Sequence, residues 1–145
     1  MALTNSHIFI KTVSVIHGFL YRTTNGRIGG RLGRVPTLLL TTTGRKSGRE
    51  RTTPLLYIKD DASYVVVGSN GGDARHPAWW LNLRENPQAR VQVRKRKLSV
   101  EARKADAEEK ARLWPQLTKV YPGYDEYQTR TTREIPVVIL TPEAH

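Results

Sequence analysis

The sequence predicts an α+β protein in which about six mostly antiparallel strands close as a small barrel, with helices packed outside. Strand-like stretches follow one another along the chain with short polar links, which is typical of antiparallel pairing. The strands do not alternate one-for-one with helices, which disfavours a doubly wound nucleotide-binding fold. The length of 145 residues corresponds to one domain with a sizeable core.

The chain is predicted to begin with a helix. Residues 1–22 contain the stretch IFIKTVSVIHGFLY, whose apolar residues recur at helical spacing, so we expect an amphipathic helix there. Residues 23–145 contain no linker that would divide them, and we expect them to form a single barrel domain. No apolar run reaches the ~20 residues that a membrane-spanning helix needs.

Strands and a short helix are predicted next along the chain. Apolar and β-branched runs predict strands over residues 36–43, 50–58 and 64–69. Pro77 opens a predicted short helix, AWWLNLREN, which ends before Pro87. Glycine- and Asp-containing turns separate these elements, so each connection is short.

The second half of the chain is predicted to hold a hairpin, a longer helix and a last strand. The alternating stretches ARVQVRK and LSVEA predict an antiparallel hairpin that turns near Lys95-Arg96. Asp106 and Glu109 have the spacing of a capping box for a helix over residues 106–120. The run IPVVIL predicts the last strand.

The charge balance indicates anionic partners. Lys and Arg number 24 against 13 Asp and Glu, which leaves a formal net charge of +11. Such a surplus predicts attraction to nucleic acid, acidic lipid or a multiply charged small molecule. The chain has no Cys, which excludes disulfides, thiolate metal sites and a Cys nucleophile, and which fits a cytoplasmic protein. The four His lack metal-ligand spacing, so we expect no metal site.

A cationic turn is the first candidate site. The stretch TTTGRKSG, residues 41–48, contains Arg45, Lys46 and Ser47 between two glycines, and Arg51 follows shortly after. Glycines allow backbone N–H groups to converge on one point, and hydroxyl and cationic side chains add donors, so phosphate or carboxylate is the expected ligand. The spacing excludes a Walker-type phosphate loop. A solvated basic turn is the alternative.

A glycine-rich loop with neighbouring aromatic residues is the second candidate. Residues 68–72, GSNGG, directly follow a predicted buried strand, so a ligand can approach the backbone there and bond the Ser69 hydroxyl. Trp79 and Trp80 lie about 100° apart on the predicted helix, which makes both hard to bury and leaves one to stack on a planar ligand. The alternatives are an ordinary strand exit and core tryptophans.

Three tyrosines form the third candidate. Tyr121, Tyr124 and Tyr127 are spaced by three residues across Pro122-Gly123. Polar residues surround them, which favours a polar aromatic wall of a pocket over a position in the core. The core is the alternative interpretation.

With these three clusters in view, the chain resembles the deazaflavin (F420)-dependent nitroreductase family over roughly residues 8–142. The matching stretches are LLTTTGRKSG, the strand with Pro54, GSNGG, HPAWWLNLRENP, WPQL at 114–117 and YPGYDEYQ at 121–128. The resemblance implies a split β-barrel and the binding of reduced coenzyme F420, an 8-hydroxy-5-deazaflavin with a phospholactyl-oligoglutamate tail. That tail is a polyanion, in keeping with the positive charge of the chain.

The resemblance also implies roles for individual residues, carried over by motif position. Those that would hold the phosphate and tail or lie beside the cofactor are Arg45, Lys46, Ser47, Arg51, Thr53 and Pro54. Those that would border the deazaflavin ring are Ser69, Asn70, Ala78, Trp79 and Asn82. Those that would line the substrate side are Tyr121, Tyr124 and Tyr127.

The implied reaction is hydride transfer from the reduced cofactor to an electron-poor acceptor, such as a quinone, a nitro compound or an activated alkene. Tyr124 is the predicted proton donor or oxyanion-stabilising hydrogen bonder, with Ser69 assisting. A related barrel that binds FMN is the alternative, with Arg45 and Lys46 on its single phosphate.

Other partners stay open at this point. A nucleic-acid binder would use Arg90 and residues 94–97, but no aromatic residues lie between these cations for bases to stack on, which counts against it. The N-terminal helix and the cations after it could hold the enzyme on the inner face of an acidic membrane. A strand edge could pair with a second copy, so both a monomer and a homodimer are possible.

Overall fold

The computed structural model describes residues 36–143 of the chain. The predicted N-terminal helix over residues 1–22 and the basic loop after it lie outside the described residues. The division of the chain at residue 22 therefore stays a prediction. Within the described part, no helix is both long and apolar enough to cross a lipid bilayer.

Seven strands and three helices make up the described part of the chain. The strands are β1 (Thr37–Thr43), β2 (Glu50–Leu56), β3 (Ile58–Asp60), β4 (Ser63–Val67), β5 (Gln88–Val93), β6 (Arg96–Lys104) and β7 (Val137–Pro142). The helices are α1 (Ala78–Glu85), α2 (Ala107–Val120) and α3 (Gly123–Thr129), and a 3-10 turn spans Asn70–Gly72.

All seven strands belong to one sheet, in the order β2-β1-β5-β6-β7-β4-β3, and every neighbouring pair is antiparallel. The sheet curls into a half-barrel, because the twist between neighbouring strands accumulates across it. This architecture confirms the predicted α+β class and the split β-barrel that the resemblance implied.

The strand predicted over residues 50–58 is in fact two strands, so the sheet has seven strands where about six were predicted. β2 ends at Leu56 and pairs with β1, whereas β3 begins at Ile58 and pairs with β4 at the opposite edge of the sheet. Tyr57 forms the corner between them. Leu56 and Ile58 are both buried, so the period-two pattern of strand residues continues through the corner and conceals it.

The hairpin and the long helix follow their predictions closely. The β5–β6 turn lies at Arg94-Lys95, one residue earlier than predicted, and Arg94 has a φ of +58°. The capping box is confirmed: the Asp106 carboxylate accepts from the Glu109 N–H at 2.8 Å, and Glu109 Oε1 accepts from the Asp106 N–H at 3.0 Å. Leu113 of the same helix is fully buried.

The core lies on both faces of the sheet. Along β4, Tyr64 and Val66 pack in a cluster with α1, whereas Val65 and Val67 pack in a second cluster with α2 and α3. Alternate residues of a strand face opposite sides, so this single strand contributes to both clusters.

Both tryptophans of α1 are buried. Trp79 and Trp80 are each 6% exposed, so the expectation that one of them would be hard to bury is wrong. The reason is the curl of the sheet, which gathers residues of β1, β4, β5, β6 and β7 into one cluster with α1. A helix inside such a curl has core contacts on more than one of its faces.

Candidate active site

A cavity of about 420 Å³ opens between the end of β2, the loop after β4, the start of α1, and the segment that leads into α3. The predicted site residues that line it are Thr53, Pro54, Ser69, Asn70, Ala78, Trp79, Tyr121, Tyr124 and Tyr127. The other lining residues are Leu55, Leu56, Val67, Gly71 and Pro77. The cavity therefore brings together the glycine-rich loop and the tyrosine cluster, which are distant in sequence.

The loop after β4 has an uncommon backbone conformation. Asn70, Gly71 and Gly72 all have positive φ values, of +47°, +65° and +81°. A Cβ on Gly72 would lie 3.0 Å from the backbone oxygen of Tyr127, so only glycine allows the loop to approach α3 this closely. The loop that carries Ser69 into the cavity thus packs directly on the tyrosine helix.

The three tyrosines form one aromatic wall of the cavity. The hydroxyls of Tyr121 and Tyr127 share a hydrogen bond of 2.8 Å, and the rings of Tyr121 and Tyr124 meet edge-on at 5.0 Å. Tyr124 is 7% exposed, and no residue in the described part of the chain hydrogen-bonds to its hydroxyl. Burial raises the pKa of both Tyr121 and Tyr124, so both phenols stay protonated at neutral pH.

One polar contact ties the tyrosine helix to α2. Trp114 Nε1 donates to Asp125 Oδ1 at 2.7 Å, and the Trp114 ring lies 6.3 Å from the ring of Tyr124. Asp125 directly follows Tyr124 in the chain. The bond from Trp114 therefore helps to set the position of the Tyr124 ring in the cavity wall.

The cationic turn joins β1 to β2 and lies outside the cavity lining. Arg45, Lys46 and Ser47 are exposed in this turn, which the Gly48 N–H closes by donating to the Gly44 carbonyl at 2.8 Å. Among residues 36–143, no acceptor binds the backbone N–H groups of Lys46 and Ser47, and no carboxylate pairs with the Lys46 side chain. The turn thus offers donors and positive charge to an anion.

β2 runs from the cationic turn to the cavity. Arg51 and Thr53 are two residues apart on this edge strand, so they share one of its faces and lie about 7 Å apart along it. Thr53 and Pro54 already line the cavity. An elongated ligand with a planar head in the cavity can therefore extend an anionic tail along β2 toward Lys46.

Asn82 lies outside the cavity lining and supports the cationic turn. Its side chain is buried, at 3% exposed. Its Oδ1 accepts two bonds from Arg45, one from the backbone N–H at 3.1 Å and one from the guanidinium Nη1 at 3.3 Å. Its Nδ2 donates to Thr42 Oγ1 at 3.1 Å. Asn82 thus positions Arg45, and its implied contact with a cofactor ring stays a prediction.

The residues that hold the site in place were not among those predicted from the sequence. Thr42 supports Asn82, Trp114 supports the tyrosine helix, and Arg133 binds the loop after β4. The partners of Arg133 lie about 60 residues earlier in the chain, for example the carbonyl of Asp73. No local spacing or periodicity in the sequence reports contacts over such a separation.

The curled half-barrel, the tyrosine-lined cavity and the exposed cationic turn fit a split-barrel protein of the class that holds a planar cofactor with an anionic tail. The family model of the F420H(2)-dependent quinone reductases matches residues 14–142. The chain belongs to this family.

Individual relatives agree with this assignment. The chain is 44% identical over 130 residues to an F420H(2)-dependent quinone reductase of Mycobacterium tuberculosis. The matched stretch covers 87% of this chain and 87% of that one. It resembles the solved structure of an F420-H2 dependent reductase with 42% identity and a TM-score of 0.67, covering 72% of this chain and 93% of that one. A structure described as a domain-swapped dimer has the same identity and TM-score, covering 72% of this chain and 79% of that one.

Family membership confirms three predictions made from the sequence: the family resemblance, the enzyme class of F420H2-dependent reductase, and F420 as the cofactor. The FMN alternative has no support among these matches. The roles of individual residues and the acceptors other than quinone stay predictions.

Proposed function

We propose that this chain transfers a hydride from reduced F420 to a quinone, which takes up one proton and leaves as the hydroquinone. One observation carries the proposal: the cavity has a wall of protonated tyrosines, and it lies at the end of the strand that begins at the cationic turn. A planar, electron-poor acceptor suits a cavity lined by Trp79 and tyrosine rings.

The residues present fit F420. The deazaflavin ring would lie in the cavity beside Pro54, Ser69 and Trp79, and the phosphate and glutamates of the tail would meet Arg45 and Lys46 in the turn. The backbone N–H groups of Lys46 and Ser47, which bind no acceptor among residues 36–143, suit the phosphate together with the cationic side chains of the turn. When bound, F420 supplies the hydride, which no side chain of the protein can donate.

Tyr124 is the proposed proton donor to the reduced acceptor. Its hydroxyl has no partner in the described part of the chain, whereas Tyr121 and Tyr127 bond to each other. Its raised pKa keeps the proton on the phenol until negative charge develops on the acceptor oxygen. Ser69, in the glycine-rich loop, is proposed to donate a second hydrogen bond to that oxygen.

Nitro compounds and activated alkenes are proposed as further acceptors. Like quinones, they carry an electron-poor centre conjugated to an oxygen that gains negative charge on reduction, so the same donation from Tyr124 would stabilise it. We expect quinones to react faster, because the relatives of this chain carry the name quinone reductase.

The test is an absorbance assay with the purified full-length chain, reduced F420 and a panel of a soluble naphthoquinone, a nitroaromatic compound and an enone. We expect protein-dependent oxidation of one F420 per quinone reduced, at higher rates for the quinone than for the others. Fluorescence titration of the protein with F420 and with FMN accompanies it, and F420 should bind more tightly. Absence of protein-dependent oxidation with every acceptor would contradict the proposal, as would tighter binding of FMN.

A further inference from the structure

Arg133 lies in the segment between α3 and β7 and binds the backbone of the loop after β4. Its Nη2 donates to the carbonyl oxygens of Ser69 and Gly68, at 2.8 and 3.2 Å. Its Nε donates to the carbonyl oxygen of Asp73 at 2.9 Å. One guanidinium therefore holds both ends of the loop over residues 68–73.

His76 is a further partner of the same guanidinium. Arg133 Nη1 lies 3.2 Å from His76 Nδ1. A guanidinium can only donate, so Nδ1 is the acceptor and the imidazole is neutral, with its proton on Nε2. Burial lowers the pKa of His76, and the positive charges of Arg133, Arg84 and Lys104 lower it further. His76 precedes Pro77, which lines the cavity.

The loop after β4 is shaped by bonds of its own and is held in place by contacts from outside. Three consecutive residues, Asn70, Gly71 and Gly72, have positive φ, a region that a free chain populates sparsely at Asn. The Gly72 N–H donates to the Ser69 carbonyl at 2.9 Å, the Asp73 N–H to the Asn70 carbonyl at 3.1 Å, and Asn70 Nδ2 to the Arg75 carbonyl at 3.0 Å. These bonds shape the loop, but the carbonyls of Gly68 and Asp73 at its two ends are bound by Arg133, so the place of the whole loop in the cavity depends on that side chain.

We propose that Arg133 is a positioning residue: by binding the loop carbonyls, with neutral His76 as a second anchor, it sets where Ser69 and Asn70 meet the bound ring. The identity of that ring rests on the proposed function, whereas the binding of the loop by Arg133 does not depend on it. Lysine cannot replace Arg133, because a single ammonium cannot reproduce a planar fork that reaches several acceptors.

Hydrogen–deuterium exchange of the protein without cofactor tests the clamp. Arg133→Lys is compared with Arg112→Lys, which breaks a two-bond guanidinium pair with Asp60 (3.0 Å each) outside the cavity lining. We expect the amides of residues 68–76 to exchange roughly tenfold faster in Arg133→Lys but not in Arg112→Lys. Unchanged exchange in this loop would overturn the proposal, and so would equal acceleration throughout the domain.

Variants of His76 provide a second test that leaves Arg133 in place. Asn offers a side-chain oxygen that can accept from Arg133 at every pH, whereas Leu offers none. After correction for intrinsic rates, we expect loop exchange in the wild type to accelerate between pH 7.5 and pH 5, as a second cation forms beside Arg133. His76→Asn should stay slow at both pH values, and His76→Leu should be fast at both. Equal exchange in the two variants would overturn the proposal.

Kinetics with reduced F420 and the naphthoquinone separate positioning from general stability. We expect Arg133→Lys to lower kcat roughly 10- to 100-fold and to raise the KM for reduced F420, while its melting temperature falls no further than that of Arg112→Lys. Wild-type kcat and KM in Arg133→Lys would overturn the positioning role. If the wild type does not oxidise reduced F420 but loop exchange responds as expected, the proposed function fails and the clamp stands.

Discussion

Tyr124 differs from the other two cavity tyrosines in its surroundings. The hydroxyls of Tyr121 and Tyr127 form a hydrogen bond with each other. The hydroxyl of Tyr124 has no hydrogen-bond partner in the part of the chain that the structure describes. Of the three hydroxyls, it is the one that can bond a ligand oxygen without giving up a bond to another described residue. This contrast singles out Tyr124 as the residue whose loss should affect chemistry rather than binding.

Tyr124→Phe should lower turnover by roughly 100-fold, because a positioned proton donor contributes about 10²–10⁴ to the rate. The dissociation constant for F420 should change by no more than about twofold, since the ring and its packing remain. Steady-state kinetics and fluorescence titration measure the two quantities. Tyr57→Phe is the matched control, because Tyr57 packs on Tyr64 outside the cavity lining. Wild-type turnover in Tyr124→Phe would remove this residue from the mechanism.

Lys46→Ala should weaken F420 binding by roughly tenfold, because the substitution removes a cation that has no carboxylate partner among the described residues and is proposed to pair with the anionic tail. The affinity of the variant should also depend less on salt, since one screened attraction is gone. Titration with F420 at low and high ionic strength measures both effects. Lys95→Ala removes an exposed cation from the β5–β6 turn and serves as the control. Equal effects of the two variants would indicate a general role of net charge.

At the scale of elements, the cavity depends on two packed walls that come from different parts of the chain. The loop after β4 packs on α3 at Gly72, and α3 is held to α2 by the bond from Trp114 to Asp125. Small changes at Gly72 should therefore affect both walls. Neither contact can be read from the amphipathic pattern of the helices, because both involve residues at helix ends or in loops.

Gly72→Ala should lower the free energy of unfolding by about 3 kcal/mol, because its Cβ would combine a positive φ with an overlap against α3. Gly71→Ala should lower it by only about 1 kcal/mol, since Gly71 has a positive φ but no atom within 4 Å of an added Cβ. Urea denaturation measures both values. Equal losses for the two variants would contradict the close approach of the loop to α3.

The capping box of α2 makes a pH-dependent contribution to stability. Hydrogen bonds from Arg103 and from the Asp106 N–H lower the pKa of Glu109 from 4.5 to about 2. The folded protein therefore binds this proton more weakly than the unfolded chain, so the contribution is complete above about pH 5 and is lost as the pH falls toward 2. The difference in melting temperature between the wild type and Glu109→Gln should shrink over that interval.

Glu108→Gln is the control for this measurement, because Glu108 is the neighbouring exposed carboxylate and has no ion-pair partner among the residues described. Its melting temperature should follow that of the wild type at every pH. A difference for Glu109→Gln that is as large at pH 2.5 as at pH 7, or that is absent at pH 7, would contradict the lowered pKa of Glu109.

At the scale of the whole molecule, two clusters of exposed cations lie toward opposite ends of the sheet in the part of the chain that the structure describes. The cationic turn lies at one end of β1, and the β5–β6 turn, with four exposed cations over residues 94–97, lies toward the other end. The expected contact with an acidic membrane rests on the N-terminal helix over residues 1–22 and the cations after it, which lie outside the described residues, and it stays a prediction.

The full-length chain should therefore sediment with vesicles that contain anionic lipid and not with neutral vesicles. Binding should fall with rising salt and should be lost when residues 1–20 are deleted, because the predicted amphipathic helix lies there. Co-sedimentation measures this, and Lys46→Ala, which leaves the N-terminal segment intact, should bind like the wild type. Equal sedimentation with neutral and anionic vesicles would contradict the prediction.

Most elements were predictable because their signals are local. The alternation of ARVQVRK, the Asp106–Glu109 spacing and the punctuation by Pro77 each report the structure of the residues around them. The corner at Tyr57 and the burial of both tryptophans were not predictable, because each depends on how the sheet curls. A strand pattern carries no information about which neighbour the strand pairs with.

The amino-acid order alone established the antiparallel α+β class, the cationic turn, the tyrosine cluster and, through resemblance, a deazaflavin reductase. The class, the turn and the cluster follow from composition, periodicity and motif spacing, which are properties of neighbouring residues, whereas the reductase follows from similarity to a known family. Folding was needed to bring Thr53, Ser69, Trp79 and Tyr124 around one cavity and to set Arg133 against carbonyls about 60 residues earlier in the chain. Contacts of this kind depend on the path of the backbone through space, which short-range patterns do not encode.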